Sequence, residues 1–237
     1  MLELWTVIVN AVVLFVTLIG NGLVSSLSSN NIGVVSNKYQ LPITPVGWTF
    51  SIWGLIYLQQ IVLCILTFLG YYGVVNTDAG VLALNNVSLI CLAVANVFNF
   101  LWLFAFVNER LTISLFLILA LLISLVVGIF FNSGVDVPFS WPAWVICFYA
   151  GWVFVATLLN FFIVLRYDIP VGSVVVVDMI STYAVFSTVF FVILLWIMWS
   201  TNFFNFSDLS VVNWSNFGVI PSMLWAVIGA IVKLVSP

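Results

Sequence analysis

The sequence predicts an all-α integral membrane protein with seven spanning helices. Three observations predict it. Hydrophobic residues make up 65% of the 237-residue chain and charged residues 5%, with a mean hydropathy of +1.34, whereas soluble domains carry about 25% charged residues. Seven apolar runs are each long enough for the roughly 20 residues of helix that a hydrocarbon core requires. The four basic residues all fall on one side when the loops are numbered alternately across a bilayer. Lipid cannot satisfy a bare backbone, and a helix satisfies its own, so helix is the form these runs take.

The first run, residues 4–27, opens directly after Glu3. It is too long and too apolar for a cleaved leader and reads as a true span. Residues 28–45 form the longest loop, rich in Ser and Asn and carrying Lys38 and Tyr39. A solvated connector is the default for such a loop, and a flap over a pocket mouth is the alternative. The second span covers about 46–72, and residues 76–80 form a turn. The third covers about 81–106, with a tight Asn108-Glu109-Arg110 link behind it. The fourth, 111–131, is almost pure Leu, Ile, Val and Phe, and another turn occupies 132–138. The fifth covers 141–165, with Pro142 in the first turn, where a missing N–H costs nothing. Residues 166–170 end it. The sixth covers about 172–199, a polar aromatic loop 201–215 follows, and the seventh covers about 216–235. No repeat is visible.

Lys38, Arg110, Arg166 and Lys233 share the side that holds the C-terminus, while the opposite side carries only Glu3, Asp78, Asp136 and Asp208. The positive-inside rule then places the C-terminus on the cytoplasmic or matrix side and the N-terminus outside. The membrane itself, mitochondrial, another organelle's or bacterial, is not specified. Three Asn-X-Ser sequons, at Asn86, Asn205 and Asn213, lie on the outer side. Each sits close to a helix end and reads as incidental.

Composition also excludes chemistry. The chain has no histidine, which removes histidine acid–base catalysis and histidine-held metals. Cys64, Cys91 and Cys147 stand alone in apolar runs and read as small buried hydrophobes. No nucleophile–base pair or metal cluster is visible, so an enzyme is not expected. A net charge of −3 without a basic patch gives no reason to expect nucleic acid.

What remains is a set of uncharged polar and aromatic faces. The third span carries Asn96, Asn99 and Trp102 at steps of three. Its amides suit interhelical hydrogen bonds, worth about 0.6 kcal/mol each, or a cavity wall. The fifth carries Tyr149, Trp152, Ala156 and Asn160 at steps of three, four and four, with Thr157 beside them. The second carries Trp53, Tyr57, Gln60 and Cys64. Aromatic packing explains each stripe alone. Converging, the stripes enclose an apolar hollow with a few hydrogen-bonding groups, suited to a planar neutral or amphipathic ligand rather than an ion. Asp178 is the one charge near a span interior, and an intramembrane acid is a functional candidate by default. Trp5, Trp141, Trp144, Trp199 and Trp214 sit near span ends, as interfacial tryptophans do.

Some of these residues form motifs. Thr44-Pro45-Val46-Gly47-Trp48-Thr49-Phe50 followed by Trp53-Gly54-Leu55-Ile56-Tyr57 resembles the second helix of the tryptophan-rich sensory proteins, the TspO/MBR family that includes the translocator protein. Asn99-Phe100-Leu101-Trp102 is similar to that family's Asn-x-x-Trp motif. The run from Tyr149 to Asn160 is similar to its Tyr-x-x-Trp-x-x-x-Ala-Thr-x-Leu-Asn motif. Order and spacing agree over roughly residues 4–165. The resemblance implies a TspO-like five-helix core over 1–170, with two additional helices over 171–237 in the same bundle. It implies a pocket capped by the loop after the first helix, lined here by Trp48, Trp53, Asn99, Trp102, Trp152, Ala156 and Leu159. Tyr57, Tyr149 and Asn160 join them from the faces above. Val46 stands where the family has a second proline, and the proline between Trp48 and Trp53 is missing, leaving them five apart. One deleted residue turns a helix by about 100°, so the two indoles need not face the same way. Phe161 and Phe162 stand where a sterol motif has Tyr, so a tetrapyrrole fits the resemblance better than a sterol.

The expected function is binding of a hydrophobic ligand, a tetrapyrrole or other lipid-like molecule, in an intramembrane pocket. An accessory subunit of a larger membrane complex is the alternative. A proton-coupled transporter rests on Asp178 alone. Expected partners are membrane lipid and a hydrophobic small molecule, then other membrane subunits or a second copy of the chain. Gly218, Gly229 and Ala230 suit a close helix approach, either to such a partner or to the chain's own bundle.

Overall fold

A computed structural model of the chain describes residues 2–27, 30–76, 84–132, 139–169, 172–200 and 214–235, and every regular element within them is helical. The order is α1 (Leu4–Leu27), α2 (Ile32–Lys38), α3 (Ile52–Tyr71), α4 (Asn86–Val107), α5 (Leu111–Asn132), α6 (Trp141–Ile163), α7 (Val174–Ser200) and α8 (Val219–Val235). Seven of these, all except α2, lie in segments long and apolar enough to cross a membrane.

Helix starts follow local capping. Asn31, Asn85 and Ser140 each accept a hydrogen bond from the backbone N–H three residues on, at 3.0, 2.8 and 3.4 Å, and so open α2, α4 and α6. Such a cap is worth about 1 kcal/mol. Asn85 is why α4 starts several residues later than the hydropathy of 81–85 suggests. The second span opens as a 3-10 turn, Gly47–Ser51, before α3 proper. The fifth ends in a wider π turn, Val164–Asp168. There Asp168 accepts from both the backbone N–H and the hydroxyl of Thr112 on α5.

Helix α6 is the axis. It carries small residues at Ala143, Ala150 and Gly151 and is buried on nearly every face. Helices α3, α5, α7 and α8 pack around it, while α4 packs against α1 and α5. Helix α7 is the least enclosed span and α6 the most.

Helix α8 belongs to this bundle. A Cβ added at Gly151 would stand 2.2 Å from Ser222 Oγ and 2.4 Å from Val219 O, so α8 rests on the bare backbone of α6. Gly229 does the same for the 3-10 turn, with a Cβ there falling 2.2 Å from Thr49 Oγ1. Gly218 and Ala230 are buried too. The small residues of the seventh span therefore serve contacts within the chain. Of the three sequons, Asn86 bonds the start of α1 through Glu3 N and Thr6 Oγ1, at 2.9 and 2.8 Å. Asn205 and Asn213 lie outside the described residues.

Candidate functional site

The three stripes converge. Trp53 from α3 stacks on Trp102 from α4, with ring centroids 5.6 Å apart. It meets Tyr149 and Trp152 from α6 edge-on at 6.0 and 6.1 Å. Tyr57 stacks on Trp53 at 5.9 Å, Phe106 on Trp102 at 5.6 Å, and Phe50 meets Trp152 at 6.2 Å. Such pairs add about 0.5–1.5 kcal/mol each beyond area burial.

Two cavities lie against this cluster. The smaller, about 40 Å³, has Trp53, Trp102, Trp152, Ala156, Leu159 and Asn160 on its wall, with Phe50, Phe106 and Ile163. The larger, about 220 Å³, is lined by Asn21, Ser25, Tyr57 and Asn99 together with Trp53, Trp102, Phe50 and Ile32. Ile32, Phe50, Trp53 and Trp102 are shared. An engineered cavity of about 150 Å³ holds benzene, so the larger space has room for about two fused rings.

Most of the unpartnered side-chain polar atoms at this hollow are donors. The indole Nε1 atoms of Trp53, Trp102 and Trp152, Tyr149 Oη and Asn99 Nδ2 are all buried without a partner among the described residues. An indole N–H can only donate.

The amides divide their work. Asn99 Oδ1 accepts from Asn21 Nδ2 and Tyr57 Oη, both at 2.8 Å. Asn160 pairs with Ser114 of α5, its Nδ2 donating at 3.0 Å. Asn96 Nδ2 donates to Gln60 Oε1 at 2.8 Å and lies on neither cavity wall. Of the two roles expected for these amides, Asn96 takes the interhelical hydrogen bond and not the cavity wall. Cys64 packs against Ala11 and Leu14 of α1, away from the hollow. Tyr149 is fully buried behind Trp53 and supports it.

Trp48 sits elsewhere. It is 47% exposed and its ring meets Trp225 of α8 at 5.1 Å. The five-residue spacing turns it away from Trp53, and α8 takes hold of the turn that carries it. Val46 N donates to Gly229 O at 3.3 Å, and Trp225 Nε1 donates to Thr49 O at 2.9 Å.

Residues 30–45 of the long loop fold over the hollow instead of running through solvent. Its α2 places Ile32 and Ser36 on the smaller cavity, and Val35, Leu41 and Ile43 are buried beneath it. Lys38 Nζ and Tyr39 Oη both donate to Glu109 Oε2, at 2.5 and 2.7 Å. Tyr167 Oη donates to Gln40 O at 2.7 Å. Glu109 takes a left-handed backbone (φ 59°) in the α4–α5 turn to reach this position, which is uncommon for a non-glycine residue. The hydrogen bonds from Lys38 and then Tyr39 hold its carboxyl below the usual carboxylate range, and the same bonds raise Lys38 and Tyr39.

Asp178 lies one turn into α7, 24% exposed at its side chain, and pairs with Arg166 of the π turn. It lies on neither cavity wall, and the described residues hold no cluster of metal-ligating side chains. Sequence reading missed Phe50, Phe106 and the α1 contribution. The signal for α1 was present as Thr17, Asn21 and Ser25, four apart in an otherwise apolar helix.

A model of the TSPO-like protein family matches residues 6–235, through both C-terminal helices. No curated protein and no solved structure matches the chain.

Proposed function

Because the chain belongs to the TSPO-like protein family, we propose that it is a membrane binding protein whose ligand is a flat hydrophobe with a hydrogen-bond acceptor. One observation carries this: three tryptophans line the smaller cavity, and each buries an indole N–H that finds no acceptor among the described residues. A carbonyl or carboxylate on the ligand would meet them while its rings fill the aromatic walls. The cap sets the size. With α2 in place the two spaces stay below the roughly 300–1,000 Å³ of a drug-sized pocket, so a tetrapyrrole or a comparable lipid-like molecule would enter only with α2 lifted. A two-ring ligand fits with α2 closed.

The test is titration of 2-acetylnaphthalene against tryptophan fluorescence of the full chain in lipid nanodiscs. Saturable quenching that weakens in Trp152→Phe supports the reading. Quenching that follows simple partition into lipid, and is identical in the variant, defeats it.

A second reading, an accessory subunit, is favoured by α7. This helix stands off from α5 and leaves an apolar crevice of about 290 Å³ walled by Phe130, Val192, Leu195 and Trp196. Recovery of the chain from mild detergent only in a larger assembly would support that reading.

A further inference from the structure

Helix α7 packs against α6 and α8 but barely meets α5. The space between α5 and α7 is the crevice of about 290 Å³, walled by Val126, Ile129 and Phe130 of α5 and by Val192, Leu195 and Trp196 of α7. All six belong to the last three turns of their helices. The crevice therefore lies at one end of the bundle, and the Arg166–Asp178 pair, at the first turns of α7, lies at the other. Phe130 stands 70% exposed at the rim, while Ile129 is 5% exposed beneath it. The opening thus faces sideways, out of the bundle. Among the side chains of the wall the one polar atom is Trp196 Nε1, and it already donates to Asn216 O at 2.6 Å.

Size and chemistry select the occupant. Both walls are candidate membrane spans, so lipid or another membrane protein borders the opening. A gap this large between packed helices is not left empty. Water is a poor filler, since it needs two to four polar partners. A spanning helix is about 10 Å across, and a single turn of it sweeps about 400 Å³, more than the whole crevice. The crevice that the second reading above offers to a partner is therefore too narrow for a partner's helix, a second copy's included. A hydrocarbon chain fits. An apolar cavity of about 150 Å³ takes the six carbons of benzene, so this space takes about twelve.

We propose that the α5–α7 crevice is a binding site for one acyl chain of a membrane phospholipid, drawn from the leaflet opposite Lys38 and Arg166. The four basic residues of the sequence are Lys38, Arg110, Arg166 and Lys233. Arg110 precedes the first residue of α5, and Arg166 pairs with the start of α7, so neither reaches a headgroup phosphate above the crevice. The lipid is held by its chain. Bulk lipid is as apolar as this wall, so the gain is in packing: the chain touches protein on two sides, and each contact adds dispersion. The site is separate from the hollow around Trp53 and does not rest on what that hollow binds.

The experiment places the full chain in vesicles of phosphatidylcholine that carries a diazirine partway along one acyl chain. After illumination, peptide mass spectrometry reads which residues hold lipid. Phe190 and Phe191 are the controls, because they lie on α7 at nearly the depth of Val192, outside the crevice, and are more exposed than Ile129 or Val192. The proposal expects several-fold more label at Ile129, Phe130 and Val192 than at the two controls. Val192→Trp fills the crevice; it should abolish the excess at Ile129 and Phe130 and leave Phe190 and Phe191 unchanged. If that variant does not fold, the wild-type pattern decides. Label that simply follows exposure, with Ile129 and Val192 below Phe191, overturns the proposal. So does a crevice free of label in a chain recovered as a dimer or a larger assembly, where a protein side chain takes the place of the lipid.

Discussion

Trp53 and Trp102 stack with their planes 29° from parallel and belong, with Ile32 and Phe50, to the wall common to both cavities. Two large rings from different helices touch there, and each buries an N–H without an acceptor. Replacing Trp102 by Phe keeps a ring and removes the unmet donor. We expect 2-acetylnaphthalene to bind about tenfold more weakly to Trp102→Phe, the loss of one hydrogen bond. The melting temperature in detergent should hold to within a few degrees. A large fall in melting temperature with unchanged affinity would make the N–H irrelevant to binding.

Helix α8 grips the turn that leads into Trp53. Gly229→Val forces a side chain into space held by Thr49, whose Oγ1 would stand 2.2 Å from the new Cβ. Overpacking of this kind costs about 1–3 kcal/mol. The expected result is a lower melting temperature together with weaker ligand binding, because the turn below Trp53 shifts. Gly22→Val, at a position with nothing within 4 Å of the added Cβ, is the control and should change neither.

The Gln60–Asn96 bond is predicted to be a structural tie. In a double-mutant cycle of Gln60→Leu and Asn96→Leu the coupling should be about 0.6 kcal/mol, the average for such pairs in membranes. Naphthalene affinity should not move. A fall in affinity in either single variant would return these amides to the ligand site.

The cap should respond to acid and to base. Glu109 has a lowered pKa in the folded chain, so its contribution is complete above the ordinary carboxylate value of 4.5 and is lost as pH falls through the lower folded value. Lys38 has a raised pKa, so its contribution is complete below 10.5 and is lost as pH rises through the higher folded value. The latch is closed between those limits. Stopped-flow association of 2-acetylnaphthalene should therefore speed up at the acid end. Glu109→Gln should be fast already at neutral pH and lose the acid response.

The spans were legible because hydropathy over about 20 residues is a strong signal, and the 4–27 and 111–131 runs differ from α1 and α5 by at most one residue. The convergence of Trp53, Trp102, Trp152, Ala156, Leu159 and Asn160 was legible because helical spacing and motif order agreed. Three features were hidden for physical reasons. The fold of residues 30–45 is tied down at Glu109, seventy residues from Tyr39, which no local pattern reveals. The direction of Trp48 is set by Trp225, on a helix that the motifs do not reach. The share of α1 in the site rests on Asn21 and Ser25, whose four-residue spacing with Thr17 is a faint stripe that carries no aromatic ring to mark it.

Among the described residues no acidic or basic side chain stands on either cavity wall, and the ion pairs at Lys38 and Arg166 both lie at one end of the bundle. Loading a neutral guest therefore displaces no charge along the electric field of an energised membrane. Occupancy should be the same in polarised and depolarised vesicles, a comparison that ligand titration at fixed and at collapsed membrane potential would make.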